Sequence, residues 1–183
     1  NGTLNILSNA TANGSLIVRG TSAGNVTYLR YVSTNWHLIA APVENYPLNA
    51  LVGQVNTNGN RFAIAPYVNN TTSLLRYNYY TDNSGTNDID DAGNFLTAKG
   101  YAIQKSTVAG TISFTGALNV DNAGESIAIK DGGDNPTGSR WNLVGNPYTS
   151  AIHGNNASNT TDNFLKTNIS TNSLDPTRAG LYL

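Results

Sequence analysis

The amino-acid sequence predicts an all-β protein, most consistent with an antiparallel β-sandwich or a jelly-roll-like fold. The chain is rich in Asn, Thr, Ser and Gly, and Asn alone makes up about 15% of its 183 residues. These residues favour turns and strands. Short segments that alternate apolar and polar residues recur between the turns, whereas long amphipathic helical patterns are missing.

An internal repeat adds to this prediction. The string Trp36–Val43 (WHLIAAPV) matches the string Trp141–Tyr148 (WNLVGNPY) in the pattern Trp-x-Leu-aliphatic-x-x-Pro. The two strings lie 105 residues apart (141 − 36), and Tyr77 matches Tyr182 at the same offset. A repeat of this length predicts a duplicated β module whose second copy is incomplete.

Residues 1–33 are predicted to form an N-terminal β-meander or the cap of a β-solenoid. They contain three alternating segments separated by turn residues: 3–7, 15–19 and 25–32. Three segments are too few to establish a repeat period, so both arrangements stay open.

Residues 34–137 are predicted to form the first β module, and residues 138–183 a second, truncated copy packed on it. Strands are expected at 35–43, 61–68, 73–80, 95–105, 110–116, 126–130 and 140–144. We also expect a short helix at 48–55, and a helical turn at 162–166 with Asp162 as its cap.

Composition excludes several functional classes. Charged residues are 11% of the chain and the net charge is −1, so there is no basic surface for nucleic acid or for an anionic membrane. No apolar run approaches the roughly 20 residues of a membrane span. The absence of Cys excludes disulfides and thiolate metal sites. The absence of Met predicts a processed or excised piece of a protein, and the composition suits an exported bacterial surface protein.

Several strings together resemble a module of large secreted and cell-surface proteins of flavobacteria and other Bacteroidota. The strings occur in the order 36–42 (WHLIAAP), 95–101 (FLTAKGY), 112–116 (ISFTG) and 141–148 (WNLVGNPY). The resemblance implies a secreted or cell-surface location and export by type IX secretion. It also implies that the module lies upstream of a C-terminal sorting domain in its parent protein. It also implies adhesin-like parent proteins, so the expected partners are other segments of a larger polypeptide and surface glycans or polysaccharide.

The two Trp residues have two interpretations. An exposed indole stacks on the apolar face of a sugar ring, whereas a buried indole anchors a core. Each Trp is followed two positions later by Leu, so both side chains point to the same face of a strand. We therefore predict a structural core formed by both strings: Trp36, Leu38, Pro42, Trp141, Leu143 and Pro147.

Tyr77, Tyr79 and Tyr80 form an aromatic cluster that is a candidate sugar-binding platform. On a strand, Tyr77 and Tyr79 would share one face and Tyr80 would take the other. The alternative is a half-buried strand, in which Tyr is common.

An acidic loop is a candidate Ca²⁺ site. It contains Asp82, Asp88, Asp90 and Asp91 in a chain that is otherwise poor in acid. Ca²⁺ takes 6–8 oxygen ligands, which flexible loops can supply. The loop lacks the ligand spacing of an EF-hand, so a solvated hairpin tip is the alternative.

The predicted function is a non-catalytic structural or adhesive β module that requires no cofactor. A carbohydrate-binding module with a Tyr platform and a Ca²⁺-ordered loop is the first alternative. A fragment of a polysaccharide hydrolase or lyase is the second, because paired Asp carboxylates could catalyse glycoside cleavage. No nucleophile, imidazole or phosphate-binding motif supports an enzyme more directly.

Overall fold

The structure, a computed structural model, describes residues 3–85, 87–105, 107–120, 127–129, 139–155, 163–171, 173–177 and 179–181. The chain divides into two compact units, residues 1–149 and residues 150–183. The predicted boundary after residue 33 does not coincide with this division, and residue 137, at the second predicted boundary, lies outside the described residues.

Short strands make up most of the regular structure of the described residues. The strands are β1 (Leu4–Ile6), β2 (Asn25–Val32), β3 (Trp36–Ile39), β4 (Thr57–Asn58), β5 (Arg61–Phe62), β6 (Ile64–Pro66), β7 (Tyr101–Gln104) and β8 (Gly110–Ala117). One α-helix, α1 (Phe164–Ser170), and two 3-10 turns, Leu48–Leu51 and Ser73–Leu75, complete the set.

These strands form small sheets that are mainly antiparallel. In the described part of the chain, one sheet has the order β1-β2-β8, a second has the order β3-β7-β6, and β4 and β5 form a hairpin. With its single short helix, this arrangement agrees with the predicted all-β class.

The N-terminal region differs from a meander, because β1 and β2 are parallel. A parallel pair needs a long connection, which residues 7–24 supply. The predicted strand at 15–19 is not formed. Its Leu16 is instead tied to Thr149, whose backbone carbonyl accepts from the Leu16 N–H (3.2 Å) and whose hydroxyl donates to the Leu16 carbonyl (2.9 Å).

Among the described residues of the first unit, a hydrophobic cluster collects side chains from both three-stranded sheets. Fully buried members are Val32, Leu48, Leu51, Ile64, Tyr101, Ile103, Ile112 and Phe114. Phe95 lies among aromatic neighbours, with its ring centroid 4.6 Å from that of Tyr101. The cluster therefore joins β2 and β8 to β6 and β7 through direct packing.

The face of β3 that contacts this core is opposite to the predicted one. His37 is paired with the fully buried Ile103, and Ile39 packs against the core. Trp36 and Leu38 do share a face, as the alternation predicts, but they are 47% and 56% exposed. The prediction that they belong to the core is therefore wrong, and the error is a shift of one residue in strand phase.

The second string is also mostly outside the core. Trp141 is 51% exposed, which contradicts its predicted burial, and Leu143 is half-buried. Pro42 and Pro147, the prolines of the two strings, are buried. Both strings thus place their Trp at the surface and their Pro inside.

The two strings run beside the same segment of the chain. β3 pairs with β7, and just before β7 Lys99 forms an antiparallel bridge with Val144 of the second string. The strings meet at equivalent positions, because a Cβ added to Gly145 would lie 2.3 Å from the Cβ of Ala40. Only a glycine at position 145 fits this approach.

Residues 150–183 contain α1, which begins later than the helical turn predicted at 162–166. The Asn163 side chain caps the helix by accepting the Lys166 N–H (3.0 Å), and Leu165 is the buried residue of the helix. Asp162, the predicted cap, lies outside the described residues, as does most of the predicted strand 126–130. None of the helices in the described residues has the length and apolar character needed to cross a membrane.

Candidate functional site: an aromatic groove beside Trp36

A groove of about 250 Å³ lies on the outer face of the β3-β7-β6 sheet, beside Trp36. The indole is at the start of β3, directly opposite Gln104 at the end of β7. Because paired residues of neighbouring strands share a face, both side chains line the groove. The volume is slightly below the ~300–1,000 Å³ of typical small-molecule sites, so the groove fits a group of the size of one ring or two.

Two side-chain hydrogen bonds fix the turn that leads into Trp36. The imidazole Nε2 of His37 accepts the Ser33 N–H (3.0 Å), and the amide of Gln104 donates to the Thr34 carbonyl (3.0 Å). The turn is thus tied both to its own strand and to the neighbouring one. Trp36 is therefore presented from a rigid element, as a binding residue should be.

Tyr79 is the aromatic neighbour of Trp36. The ring centroids lie 5.6 Å apart with an interplanar angle of 61°, an edge-to-face arrangement. Tyr79 lies in a segment that runs beside β5 and β6. The backbone N–H of Phe62 donates to the Tyr80 carbonyl, and the backbone N–H of Tyr80 donates to the Ile64 carbonyl. The two rings form an angled corner of the groove rather than one flat platform.

The three candidate tyrosines take different places. Tyr77 contacts Tyr67 edge-to-face, with centroids 5.4 Å apart, and is partly exposed. Burial raises the pKa of Tyr77, and the Tyr67 and Tyr79 phenols raise it further. Tyr80 instead packs against the core, where burial, followed by the nearby Tyr101 phenol, raises its pKa to about 12. The structure therefore brings Tyr79 to the groove and removes Tyr80 from it.

The hairpin β4-β5 forms another wall. Gly59 adopts a φ of +60° at the first central position of the two-residue turn, which fits a type II′ hairpin. Phe62 is buried and anchors the hairpin, while Asn58 and Arg61 are exposed and line the groove. A tight turn on a buried aromatic residue thus holds two polar side chains near the indole.

The polar groups of the groove are of two kinds. The Asn56 amide donates to Gln104 Oε1 (3.2 Å), so these two amides hold each other in place. Within the described chain, the side chains of Thr57, Asn58 and Arg61 have no hydrogen-bond partner. The groove therefore combines a fixed amide pair with donors and acceptors that can bind a ligand.

Arg61 provides the only formal charge among the described residues that line the groove. The remaining lining side chains are aromatic, amide, hydroxyl or aliphatic. The described lining of the groove therefore carries one positive charge, in a protein in which only 11% of the residues are charged.

The aspartates of the acidic loop, the candidate Ca²⁺ site, make hydrogen bonds within the protein or are exposed. Within the described residues, no three His, Asp or Glu side chains come together in a way that could hold a metal ion. Asp88 accepts the Asp90 N–H (3.0 Å), and Asp90 accepts the Asn49 side-chain amide (3.4 Å). Asp82 and Asp91 are exposed. The Ca²⁺ hypothesis stays a prediction without geometric support.

Internal contacts order the loop instead. Asn78 and Asn87 exchange side-chain hydrogen bonds of 2.7 and 3.0 Å, and Ile89 is buried in the core at 2% exposure. The Ile89 N–H donates to the Thr81 carbonyl (2.9 Å). An apolar anchor and an amide pair therefore hold the segment that ends in the acidic residues.

The polar half of the groove has no continuous signature in the sequence. Asn56, Asn58, Arg61 and Gln104 come from separate segments, and only the fold brings them together. One local signal was available, since Asn58-Gly59-Asn60 is a hairpin turn signal that directly precedes Arg61.

Comparisons of the chain with protein-family models, curated proteins and solved structures found no match. The resemblance to Bacteroidota surface modules therefore rests on the sequence strings alone.

Proposed function

We propose that this chain is a non-catalytic β module of a secreted or surface-displayed bacterial protein, and that it binds polysaccharide through the groove beside Trp36. One observation carries the proposal: a half-exposed Trp sits on a rigid strand, next to Tyr79 and beside polar side chains without partners. Sugar rings have an apolar face that stacks on an indole and hydroxyl groups that bond to amides. The groove offers both kinds of contact.

The exposure of Trp36 sets the scale of the binding energy that a stacked sugar ring can contribute. A buried Trp removes about 150–250 Å² from water. At 47% exposure, roughly 100 Å² of indole remains in water, equivalent to about 2.5 kcal/mol at 25 cal/mol per Å². A sugar that covers one ring face would recover about half of this, or about tenfold in Kd.

The adhesive role follows from the same groove, because a module that binds surface glycans attaches its parent polypeptide to them. The structural role is supported by the core shared between the two three-stranded sheets. We propose that these sheets form the predicted β-sandwich, and that the two Trp strings derive from a duplicated unit. Secretion by the type IX route and a parent protein of the Bacteroidota adhesin type belong to the same proposal.

Polysaccharide hydrolysis has less support at this groove. A glycosidase needs two carboxylates about 5–10 Å apart across the bound sugar. The described lining of the groove contains Arg61 and no Asp or Glu. We therefore propose binding rather than cleavage there.

The proposal is tested by the binding of the purified chain to a panel of neutral and acidic polysaccharides in affinity electrophoresis, followed by calorimetry. We expect Trp36→Ala and Tyr79→Ala each to weaken binding about tenfold or more. Trp141→Ala is the matched control, since that Trp is equally exposed in the equivalent string but does not line the groove. Absence of binding across the panel, or an equal loss in the Trp141 variant, would refute the proposal.

A further inference from the structure

The positive charge in the groove points to the class of sugar that it binds. Arg61 is an exposed arginine on β5, and in the described chain its guanidinium makes no ion pair. Only 10 of the 183 residues are Lys or Arg, so basic side chains are rare in this protein and the one in the aromatic groove is informative about the charge of the ligand.

The surrounding charges leave this cation available. Asp82 is an acidic residue beside the hairpin, and its backbone N–H donates to the Asn60 carbonyl (2.7 Å). Asp82 does not line the groove and makes no ion pair with Arg61. Because both side chains are exposed, their mutual attraction through water is weak.

Resting on the polysaccharide-binding function proposed above, we infer that the groove selects a uronic-acid residue, with Arg61 pairing with the sugar carboxylate. The guanidinium is a planar fork of donors that matches the two oxygens of a carboxylate. A uronate carries that carboxylate directly on the sugar ring. The ring can therefore stack on Trp36 while its acid group is held by Arg61.

The neighbouring side chains complete the recognition of a sugar. Asn58 and Thr57, which have no side-chain partners in the described chain, line the same groove and can bond to ring hydroxyls. Arginine also forms bidentate pairs with tetrahedral oxyanions, but a sulfate ester extends from the sugar on an extra oxygen, whereas the uronate carboxylate is attached directly to the ring that stacks on the indole. The expected ligand is an acidic polysaccharide built from uronic acids.

The test compares polygalacturonic acid with the same polymer after its carboxyl groups have been methyl-esterified. The ester keeps the sugar ring and its hydroxyls but removes the charge. We expect the acid form to bind at least about tenfold more tightly than the ester, because hydrogen bonds to charged groups are stronger than neutral ones. The preference should shrink as salt is raised from about 0.05 to 0.5 M, because the pair is exposed to solvent.

Variants at Arg61 assign the preference to that side chain. Arg61→Gln should reduce binding of the acid form about tenfold and leave the ester unchanged, and Arg61→Lys should restore part of the difference. Arg30→Gln, at an exposed position of β2 outside the groove, is the control. Melting temperatures of all variants are measured first. Arg61 is exposed, so unchanged values are expected.

The outcomes separate this inference from the function on which it rests. Equal binding of acid and ester, tighter binding of dextran sulfate than of polygalacturonate, or an Arg61→Gln variant that keeps the preference overturns uronate selection. If the unmodified chain binds no polysaccharide, neutral or acidic, the proposed polysaccharide-binding function itself is overturned. An acid preference that is lost only in the Arg61 variants supports the inference.

Discussion

The close contact between the two Trp strings leads to a sharp stability prediction. A methyl group added at Gly145 would place its carbon 2.3 Å from the Cβ of Ala40, whereas carbon atoms in contact prefer about 3.5–4.0 Å. The backbone of Gly145 is not in the left-handed region, so an alanine there meets no conformational strain. Gly145→Ala therefore tests the contact alone.

The magnitude follows from the displacement that the methyl would force. The strings must separate by more than 1 Å, and overpacking of this kind costs about 1–3 kcal/mol. Without a clash, the same change would stabilise the protein by about 0.4–1 kcal/mol, because alanine restricts the unfolded chain. The sign of the effect therefore distinguishes the two cases.

The compensating variant makes the test specific. Ala40→Gly alone is expected to lose about 0.5–1 kcal/mol from backbone entropy. It also removes the atom that clashes, and the next distances from a Cβ at Gly145 are 3.4 Å. The double variant Ala40→Gly/Gly145→Ala should therefore be about 1–3 kcal/mol more stable than the sum of the single variants predicts.

The assay is equilibrium unfolding in urea, with the Trp fluorescence and the far-UV dichroism followed together. Gly110→Ala is the control, because its Cβ would meet only the flexible end of Lys105, at 3.1 Å, and the change should be neutral or stabilise the protein by up to about 1 kcal/mol. A Gly145→Ala variant as stable as the parent, or strictly additive effects in the double variant, would show that the strings are not packed in this way.

Three further predictions concern the loop and the tyrosines. Ile89→Ala should lose about 2–5 kcal/mol of unfolding free energy and Ile89→Val only about 0.5–1.5, because Ile89 is buried in the core; equal small losses in urea unfolding would contradict this burial. Burial raises the pKa of Tyr80 to about 12, so the folded state keeps a proton that the unfolded state loses near its ordinary pKa of about 10. The contribution of Tyr80 to the free energy of unfolding is therefore complete below pH 10 and is lost as the pH rises from about 10 to 12. Tyr80→Phe should make the free energy of unfolding fall less steeply over this range. An unchanged slope would show that Tyr80 is not the cause of the fall. Because no described cluster of carboxylates could hold the ion, millimolar Ca²⁺ should leave the melting temperature unchanged, and a rise that Asp88→Asn abolishes would instead support the predicted Ca²⁺ site.

The class of the fold was accessible from the sequence because it depends on local patterns. Turn residues and alternation at 25–32 and 110–116 predicted strands that the structure contains as β2 and β8. The pairing of β1 with β2 was not accessible, because alternation does not determine whether neighbours are parallel or antiparallel. The segment 15–19 has the pattern of a strand, yet isolated bonds to Thr149 hold it instead.

The error in the core prediction has a specific cause. In β3 both faces carry large side chains, Trp36 and Leu38 on one and His37 and Ile39 on the other, so hydrophobicity alone favours the wrong face. The pairing with β7 determines which face of β3 enters the core. β7 places Tyr101 and Ile103 in the core and the small Ala102 between them, and the pairing of Ile39 with Tyr101 fixes the phase of β3. Strand phase is a property of the pair and not of the single strand.

The two indoles, nearly equal in sequence and exposure, show why local strings cannot assign the site. Trp36 stands beside Tyr79 and the hairpin of Arg61, whereas Trp141 lies in an irregular segment and lines neither this groove nor the larger one formed by Leu96 and Lys99. What distinguishes Trp36 is contributed by residues far from it in the chain. If ligand binding depended on the string itself, both Trp→Ala variants would lose it. If it depends on the surrounding groove, only the Trp36 variant will, and the two variants together therefore separate a repeated structural element from a binding site.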